Sequence, residues 1–491
     1  MPNFAILALS SALVLNLWKS LSGSGSGGGR SSERISAQKH RGRIVICGLL
    51  IKMARLLRKN GGSRKKNHYS DGLGRIDRIS DLPSNVIDEI LCRMTTKEIA
   101  QMSVLSKKWY HIWSTHPVIV LDRQFHEDIN QDDSSVTYGG FKNIVNKILL
   151  QHNGPIVKFF LDVSSADLDD WDIDHWLRYV SNKGVNELTI DNSFQFPYNL
   201  PHFLFKCAKL SYLNVTNCNF KLPLASTSFQ NLVRLDLKLM SFNQKLAQNI
   251  LEAPLLLILM ITGCDGIQFL NISAPRLLCL HIVDSHYVDL KLLKACPELK
   301  VVTIVTCNRI YTYEFWRRFT LFQMIASFPK LTGFCLDGLF FKFVVPTVVP
   351  KRLEAPLEHL VVLKLGFCFA DKAQISAVIC LLQSAPHLHT LEIQEELSDA
   401  EEINVDAVTE FLTAPNCVEQ DLMSLEKIKL EGYVNNTIER HFMKLLLARS
   451  PSLVEVIVAP SRFIEYNGIW LFFFELLEFP RASQNVSILL G

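Results

Sequence analysis

The chain has 491 residues, of which 48% are hydrophobic and 20% are charged, so it can bury a large core over several domains. Its net charge is only +3, but residues 1–66 carry thirteen Lys or Arg and one acid, which gives +12 and leaves −9 for the other 425 residues. This mildly acidic body gives no electrostatic support to nucleic-acid binding.

Residues 1–75 form a basic and partly apolar leader, which we expect to be disordered. Residues 4–18 are a charge-free apolar run of 15 residues. The run is short for a membrane span and resembles a signal or transit peptide that lacks a preceding basic residue. The glycine-rich stretch at 23–28 matches a nucleotide-binding pattern only formally, because no strand precedes it, and it indicates a linker. Met53 is an alternative start, so the presence of residues 1–52 in the mature protein is open.

Three short helices are predicted over residues 76–113. Ser84 is the candidate N-cap of the first helix, and Ser103 is the candidate cap of the third. Thr95 and Glu98 form a capping-box pattern at the start of the second helix. Three helices in fewer than forty residues cannot enclose a core of their own, so we expect this unit to dock on the following domain or on a partner.

From residue 156 onward, the pattern apolar-x-x-apolar-x-apolar occurs twelve times, at intervals of 21 to 37 residues. The first apolar positions of the copies are Ile156, Val185, Leu210, Leu232, Leu256, Leu277, Leu299, Leu331, Leu360, Leu388, Leu425 and Leu453. Self-similarity of this kind predicts a solenoid of leucine-rich repeats, in which stacked parallel strands bury the apolar positions. The amphipathic segments 375–382 and 442–447 are expected on its convex side.

Cysteine recurs at one position of these copies. Cys218, Cys264, Cys307 and Cys368 each lie eight residues after the first apolar position, where such repeats place Asn or Cys to turn the chain off the strand. The sequence contains no Cys-x-x-Cys pair. Cysteines packed singly in a core are typical of a reducing compartment, which predicts the nucleus, the cytoplasm or both.

Two segments carry a family resemblance. Residues 79–113, ISDLPSNVIDEILCRMTTKEIAQMSVLSKKWYHIW, resemble an F-box, with Leu82-Pro83 at its start and Trp109 and Trp113 at its end. Residues 424–458 resemble an FBD segment, in which a strand, a turn at Gly432, a helix and a second strand follow one another. With the repeats between them, the chain is similar to the plant F-box/FBD/leucine-rich-repeat proteins.

The resemblance implies an α/β architecture: a leader at 1–75, a three-helix F-box at 76–120, a repeat solenoid at 121–394 with strands concave and helices convex, and an FBD-like part at 395–491 that continues the repeats. It also implies that the F-box binds a Skp-type adaptor, and through it a cullin and a RING subunit, while the repeats hold a protein substrate for ubiquitination. The residues expected to contact or support the adaptor are Leu82, Pro83, Ile87, Ile90, Leu91, Val104, Trp109 and Trp113.

The strand positions between the buried leucines should line the concave face, and in the middle copies they are almost all apolar. We expect them to form the exposed centre of the substrate surface, because exposed apolar patches mark interaction sites. They are Ile258, Met260, Cys279, Val283, Val301, Val305 and Cys335. The alternative is that the insert at 338–356 folds over these strands and hides them.

No catalytic motif accompanies these features, so we expect a non-enzymatic protein without cofactor or metal, and without nucleic-acid or membrane partners. His387 and His389 share a side of one strand but have no third ligand nearby in sequence. The acids at 169–174 are typical of a helix start. Two other functions stay open: a secreted or receptor-like repeat scaffold, and an F-box protein that binds the adaptor without degrading its partner.

Overall fold

A computed structural model describes residues 82–132, 140–163, 168–193, 196–220, 227–242, 250–267, 272–284, 296–306, 320–396, 405–434, 436–461 and 466–491. The predicted leader lies outside these residues. The chain divides into two compact units, Met1–Lys221 and Leu222–Gly491.

The described part of the first unit begins with three short helices, α1 (Ser84–Leu91), α2 (Thr96–Met102) and α3 (Lys107–Thr115). Strands and helices then alternate, in the order β1 (Val118–Leu121), α4 (Arg123–Asp132), α5 (Gly140–Gln151), β2 (Lys158–Asp162), α6 (Asp170–Asn182), β3 (Glu187–Asp191), β4 (Tyr198–Leu200), β5 (Tyr212–Thr216) and β6 (Cys218–Phe220). A 3-10 helix, His202–Lys206, follows β4. Strands β1, β2, β3 and β5 pair in parallel, and β4 pairs with β6 beside them.

The second unit carries ten parallel strands: β8 (Arg234–Lys238), β10 (Ile258–Thr262), β12 (Cys279–Val283), β13 (Val301–Val305), β14 (Gly333–Leu336), β15 (Val362–Phe367), β16 (Thr390–Glu395), β17 (Lys427–Tyr433), β18 (Glu455–Pro460) and β19 (Ser487–Leu490). A small separate sheet consists of β7 (Thr227–Ser228), β9 (Leu251–Glu252) and β11 (Ile272–Ser273). The helices are α7 (Leu321–Ala326), α8 (Gly338–Val344), α9 (Lys372–Ser384), α10 (Val405–Thr413), α11 (Thr437–Arg449) and α12 (Tyr466–Glu478).

All twelve predicted copies correspond to strands of these two parallel ladders, which confirms the predicted solenoid. Their apolar positions occupy the same register on successive strands, as in the pairing of Leu259 with Leu280 and of Leu280 with Val302. These side chains are almost completely buried. Parallel stacking therefore buries one continuous apolar row on the inner side of each ladder.

Four strands of the solenoid, β5, β8, β10 and β12, are each followed by a left-handed residue. Asn217, Leu239, Gly263 and Asp284 have φ values of 50°, 51°, 62° and 50°, and each lies seven residues after the first apolar position of its copy. The next residue turns inward: the Cys264 thiol is buried and lies 3.4 Å from the Met240 nitrogen and 3.5 Å from the Leu237 carbonyl oxygen. A backbone corner and a buried thiol thus turn the chain off the strand.

Helices close the outer side of the second unit where the sequence is amphipathic. The predicted convex segments 375–382 and 442–447 lie inside α9 and α11. The 424–458 segment has the predicted strand, helix and strand, but Gly432, at φ 78°, lies inside β17 at an irregularity in the pairing between Glu431 and Tyr433 and not in a turn. Phe442 of α11 packs edge-on against Phe367 and Phe369, with ring centroids 6.1 and 5.3 Å apart, and so joins this helix to the core behind β15.

Candidate functional site

The N-terminal helices begin where side chains can bond the free backbone N–H groups. Thr95 Oγ1 accepts from the Glu98 nitrogen at 3.3 Å, and Glu98 Oε2 accepts from the Thr95 nitrogen at 2.8 Å, which confirms the predicted capping box of α2. The other two predicted caps are wrong. Pro83 precedes α1 without any side-chain cap, and Ser106 rather than Ser103 caps α3, because the Ser103 hydroxyl instead donates to the Ala100 carbonyl at 2.6 Å.

Between α1 and α3 lies a groove of about 310 Å³. Its apolar lining consists of Leu82, Ile87, Leu91, Ile112 and Pro117, and its polar lining consists of Ser84, Asp88, Lys108, Thr115 and His116. Burial lowers the pKa of His116, so this imidazole is neutral at pH 7. The groove therefore has an apolar floor with one acidic residue, Asp88, and one basic residue, Lys108, beside it. Such a groove suits an apolar side chain of a partner.

The eight predicted adaptor residues fall into two groups. Ile87, Leu91, Trp109 and Trp113 are buried within the chain itself, so they support the three helices. Pro83 is exposed, Leu82 and Ile90 are partly exposed, and Val104 is 61% exposed in the turn before α3. Contact with an adaptor stays a prediction for all eight residues. Only the second group has side chains that are accessible to a partner.

Two apolar side chains beside this group were missed from the sequence. Val86 is 38% exposed, and Tyr110 is 46% exposed next to the exposed Lys107 and Lys108. On a helical wheel Tyr110 lies outside the buried stripe that predicts the core, so periodicity gives it no weight. Val86 shares the apolar spacing of Ile87, Ile90 and Leu91, so periodicity places it on the apolar face of α1 and does not show that it is exposed. The exposure of Val86 and Tyr110 in a segment rich in apolar residues is the signal that could have found them.

The three helices are attached to the first repeats by backbone bonds. The Ser114 carbonyl at the end of α3 accepts from the nitrogens of Asn153 and Gly154 at 2.7 and 3.1 Å. The Val120 nitrogen of β1 donates to Thr96 Oγ1 of α2 at 2.9 Å. Gly154 is required here, because a Cβ at this position would lie 2.8 Å from the Thr115 Cα. The helical unit thus docks on the following domain, one of the two alternatives that its small size predicts.

Comparison with known proteins assigns both parts of the chain. A model of the F-box domain matches residues 79–121, and a model of the repeats of the FBD-associated F-box protein At5g56370 matches residues 173–393. Similar proteins from Arabidopsis thaliana include the F-box/FBD/LRR-repeat protein At1g13570, 28% identical over 84% of this chain and 98% of the relative. The F-box/FBD/LRR-repeat protein At5g56420 is 24% identical over the same shares.

The chain thus carries an F-box domain followed by repeats like those of FBD-associated F-box proteins, and it is similar along most of its length to F-box/FBD/LRR-repeat proteins. F-box domains generally bind Skp-type adaptors, and F-box proteins with leucine-rich repeats are commonly substrate adaptors of ubiquitin ligases that carry no catalytic site. In this F-box protein, the groove between α1 and α3 and the exposed Val104 and Tyr110 therefore lie in the domain that makes the adaptor contact in the family.

The prediction of an exposed apolar patch on the middle strands of this F-box protein is wrong, because most of these side chains are buried. Met260, Cys279, Val283, Val301, Val305 and Cys335 are at most 9% exposed, and only Ile258 is partly accessible. Paired side chains on strands about 4.8 Å apart cover one another, as do Cys279 with Val301 and Val283 with Val305. The first part of the insert, α8, packs on β15, the strand beside β14. A role of these residues in substrate capture stays a prediction.

On either side of these buried apolar positions, charged side chains of the strands form ion pairs. Arg234 binds Asp236 with two nitrogens, at 2.9 and 2.8 Å, and Lys364 binds Glu392 across strands at 2.8 Å. Burial lowers the pKa of His281, between them on β12, to about 4, which leaves it neutral at pH 7.

Neither a metal-binding cluster nor a membrane-spanning helix is found among the residues that the structure describes. His387 is exposed and His389 is half-buried, and the described residues contain no cluster of three or more His, Cys, Asp or Glu side chains placed to hold a metal. The acids at 169–174 begin helix α6, as predicted. Among the described helices, none combines the length and apolarity needed to cross a bilayer.

Proposed function

We propose that this chain is the substrate-recognition subunit of a Skp–cullin–F-box ubiquitin ligase, which recruits a protein substrate through its repeats for ubiquitination. The observation that carries the proposal is an F-box with an open apolar groove and outward apolar side chains, attached to a leucine-rich-repeat solenoid. The first part suits an adaptor, and the second offers a large curved surface to another protein.

The adaptor contact follows from the exposure of the F-box side chains. The groove takes one apolar side chain of the adaptor over Leu82 and Ile112, and Val104 and Tyr110 add apolar area beside it. The exposed Lys107 and Lys108 favour an acidic adaptor surface at the rim. Anchors of this kind commonly lose 2 kcal/mol or more of binding free energy on truncation, which corresponds to about 30-fold in affinity.

The experiment measures the affinity of the purified chain for a purified Skp-type adaptor. Leu82→Ala and Val104→Asp should each weaken binding at least about 10-fold. Leu150→Asp is the matched control, because Leu150 is 80% exposed on α5 and lies outside the F-box. Equal affinity of the three variants and the unchanged chain would contradict the adaptor contact.

A second assay separates a ligase subunit from a repeat scaffold. In a mixture of adaptor, cullin and RING subunit, the tagged chain should recover the cullin only when the adaptor is present. The scaffold function predicts no recovery under either condition. Recovery of the complex without ubiquitination of any bound protein would indicate an F-box protein that binds the adaptor without degrading its partner.

We also propose the nucleus, the cytoplasm or both as the compartment. Ten described cysteines are free, and seven of them are buried, as thiols are in reducing compartments. Burial raises the pKa of the Cys264 thiol to about 11 and that of Cys335 to about 12, so both stay protonated and unreactive. A fluorescent fusion should appear in these compartments, whereas glycosylation of the chain would place it in the secretory route.

A further inference from the structure

Two aromatic rings of the first unit are exposed in one corner. Trp171 in the first turn of α6 is 71% exposed, and Phe196 between β3 and β4 is 94% exposed. Large rings in water normally mark contact sites, because each one buries 150–250 Å² when it is covered. The corner lies at the carboxyl end of the parallel strands, where α/β folds commonly bind ligands.

Internal bonds bring the two rings near each other. The Tyr198 hydroxyl donates to Asp174, which lies one helical turn after Trp171. Phe196 is two residues before Tyr198. Burial and the nearby carboxylates of Asp191 and Asp170 raise the pKa of the Cys218 thiol, so the two rings and these acids belong to one region of the first unit. Together with Asp169, Asp170 and Asp191, these rings form what we call the aromatic corner.

The two rings are also held in place. Trp171 stacks on His175, with ring centroids 5.5 Å apart and planes 13° apart. The carbonyl of Phe196 accepts from Asn192 Nδ2 at 2.9 Å, and the same amide donates to the Asn217 carbonyl at 3.0 Å. The backbone of Phe196 is thus bonded to the repeats while its side chain points outward. Such preorganised anchors lower the entropy cost of binding.

The charge of the corner is negative. Asp169, Asp170 and Asp191 form no ion pair in the part of the chain that the structure describes. Asp169 precedes α6 but makes no side-chain cap bond, so helix capping does not account for its carboxylate. Carboxylates beside aromatic faces are complementary to the guanidinium and ammonium groups of a partner, which bind acids by hydrogen bonds and rings by cation–π contact.

We propose that the aromatic corner, defined by Trp171, Phe196, Asp169, Asp170 and Asp191, binds an arginine- or lysine-rich segment of a protein. The inference deepens the proposed function and rests on it, since it names the class of substrate that this F-box protein recruits. The corner and the F-box belong to the same compact unit, so adaptor and substrate sites share one body.

The test uses the full chain and a fluorescein-labelled nine-residue peptide with four arginines, followed by fluorescence anisotropy. A peptide with glutamate in place of arginine serves as the charge control. The arginine peptide should bind, and binding should weaken as salt rises. Trp171→Ala and Phe196→Ala should each lower the affinity about 10-fold, and Asp169→Asn with Asp170→Asn about 5-fold, whereas Leu150→Ala should leave it unchanged.

Because the replaced side chains are exposed, the variants should fold like the unchanged chain, and the unfolding temperature of each variant checks this directly. Equal binding by the Trp171→Ala/Phe196→Ala double variant, or equal binding of the glutamate peptide, would overturn the proposal. Adaptor affinity is measured in parallel. If the unsubstituted chain binds the adaptor but not the arginine peptide, this inference alone is overturned. If it binds the peptide but not the adaptor, the proposed function alone is overturned.

Discussion

Replacing Gly154 by Ala tests the junction between the F-box and the repeats. The added Cβ would lie 2.8 Å from the Thr115 Cα and 3.0 Å from its carbonyl oxygen, both backbone atoms that cannot rotate away. Carbon atoms normally approach to about 3.5–4.0 Å, so the loop and α3 must separate by roughly 1 Å. That movement lengthens the two bonds from Asn153 and Gly154 to the Ser114 carbonyl, now 2.7 and 3.1 Å.

The expected loss of stability is the sum of these effects. Overpacking costs about 1–3 kcal/mol, and each weakened hydrogen bond costs up to about 1 kcal/mol, so we expect about 3 kcal/mol for Gly154→Ala. For a unit of this size, the unfolding temperature should fall by about 6–12 °C. Differential scanning calorimetry measures this shift in the transition of the first unit.

A second glycine supplies the matched control. A Cβ at Gly333 would lie 3.6 Å from Val301 Cγ2, which is ordinary van der Waals contact. Gly333→Ala should therefore be neutral or stabilise the protein by about 0.5 kcal/mol, because alanine loses less entropy on folding. If Gly154→Ala shifts unfolding no more than Gly333→Ala does, the junction is not packed as described.

Three further predictions concern other parts of the chain. Thr95→Ala removes the cap of α2 and should lower the free energy of unfolding by about 1 kcal/mol, as chemical denaturation would measure. Ser84→Ala is the control, because Ser84 makes no cap bond, and it should change that free energy by less than about 0.5 kcal/mol. Gly366→Ala would place a Cβ 2.3 Å from the Gly338 nitrogen and should destabilise more than Gly154→Ala, as the yield of soluble protein and its unfolding temperature would show. Burial and a hydrogen bond to the Glu439 carboxyl raise the pKa of Glu395. The folded state therefore keeps a proton that the unfolded state releases above about pH 4.5, and the free energy of unfolding falls as pH rises. Glu395→Gln should flatten this fall between pH 5 and 9, and an unchanged slope in urea denaturation would refute the assignment.

The repeats could be predicted because one register fixes both local and long-range structure. Alternating apolar residues define each strand, and their recurrence defines the stacking, so all twelve predicted strands are present. Strands β1 and β19 at the ends were missed, because the first position of each is polar: His116 for β1 and Asn485 for β19. End copies meet a neighbour on one side only, which relaxes the demand for an apolar residue there.

The candidate site was less predictable, because exposure depends on contacts between distant segments. The apolar stripe of the F-box correctly predicted helices, but it could not separate the buried Trp109 from the exposed Val104. Similarly, Val283 and Val301 lie on the strand face that usually meets solvent, and only the pairing of neighbouring strands shows that they are covered. Trp171 and Phe196 appear in the sequence as ordinary aromatic residues, and nothing in periodicity distinguishes them from core.

The spacing of the repeats has a consequence for how this chain can vary. The copies that end at the left-handed residues Asn217, Leu239, Gly263 and Asp284 reach the next copy after 22, 24, 21 and 22 residues. The longest interval, the 37 residues from Leu388 to Leu425, follows a strand without a left-handed residue at this position, and parallel pairing continues across it. Insertions on the outer side are therefore decoupled from the leucine ladder, and new loops can be added to the outer side while the scaffold keeps its spacing.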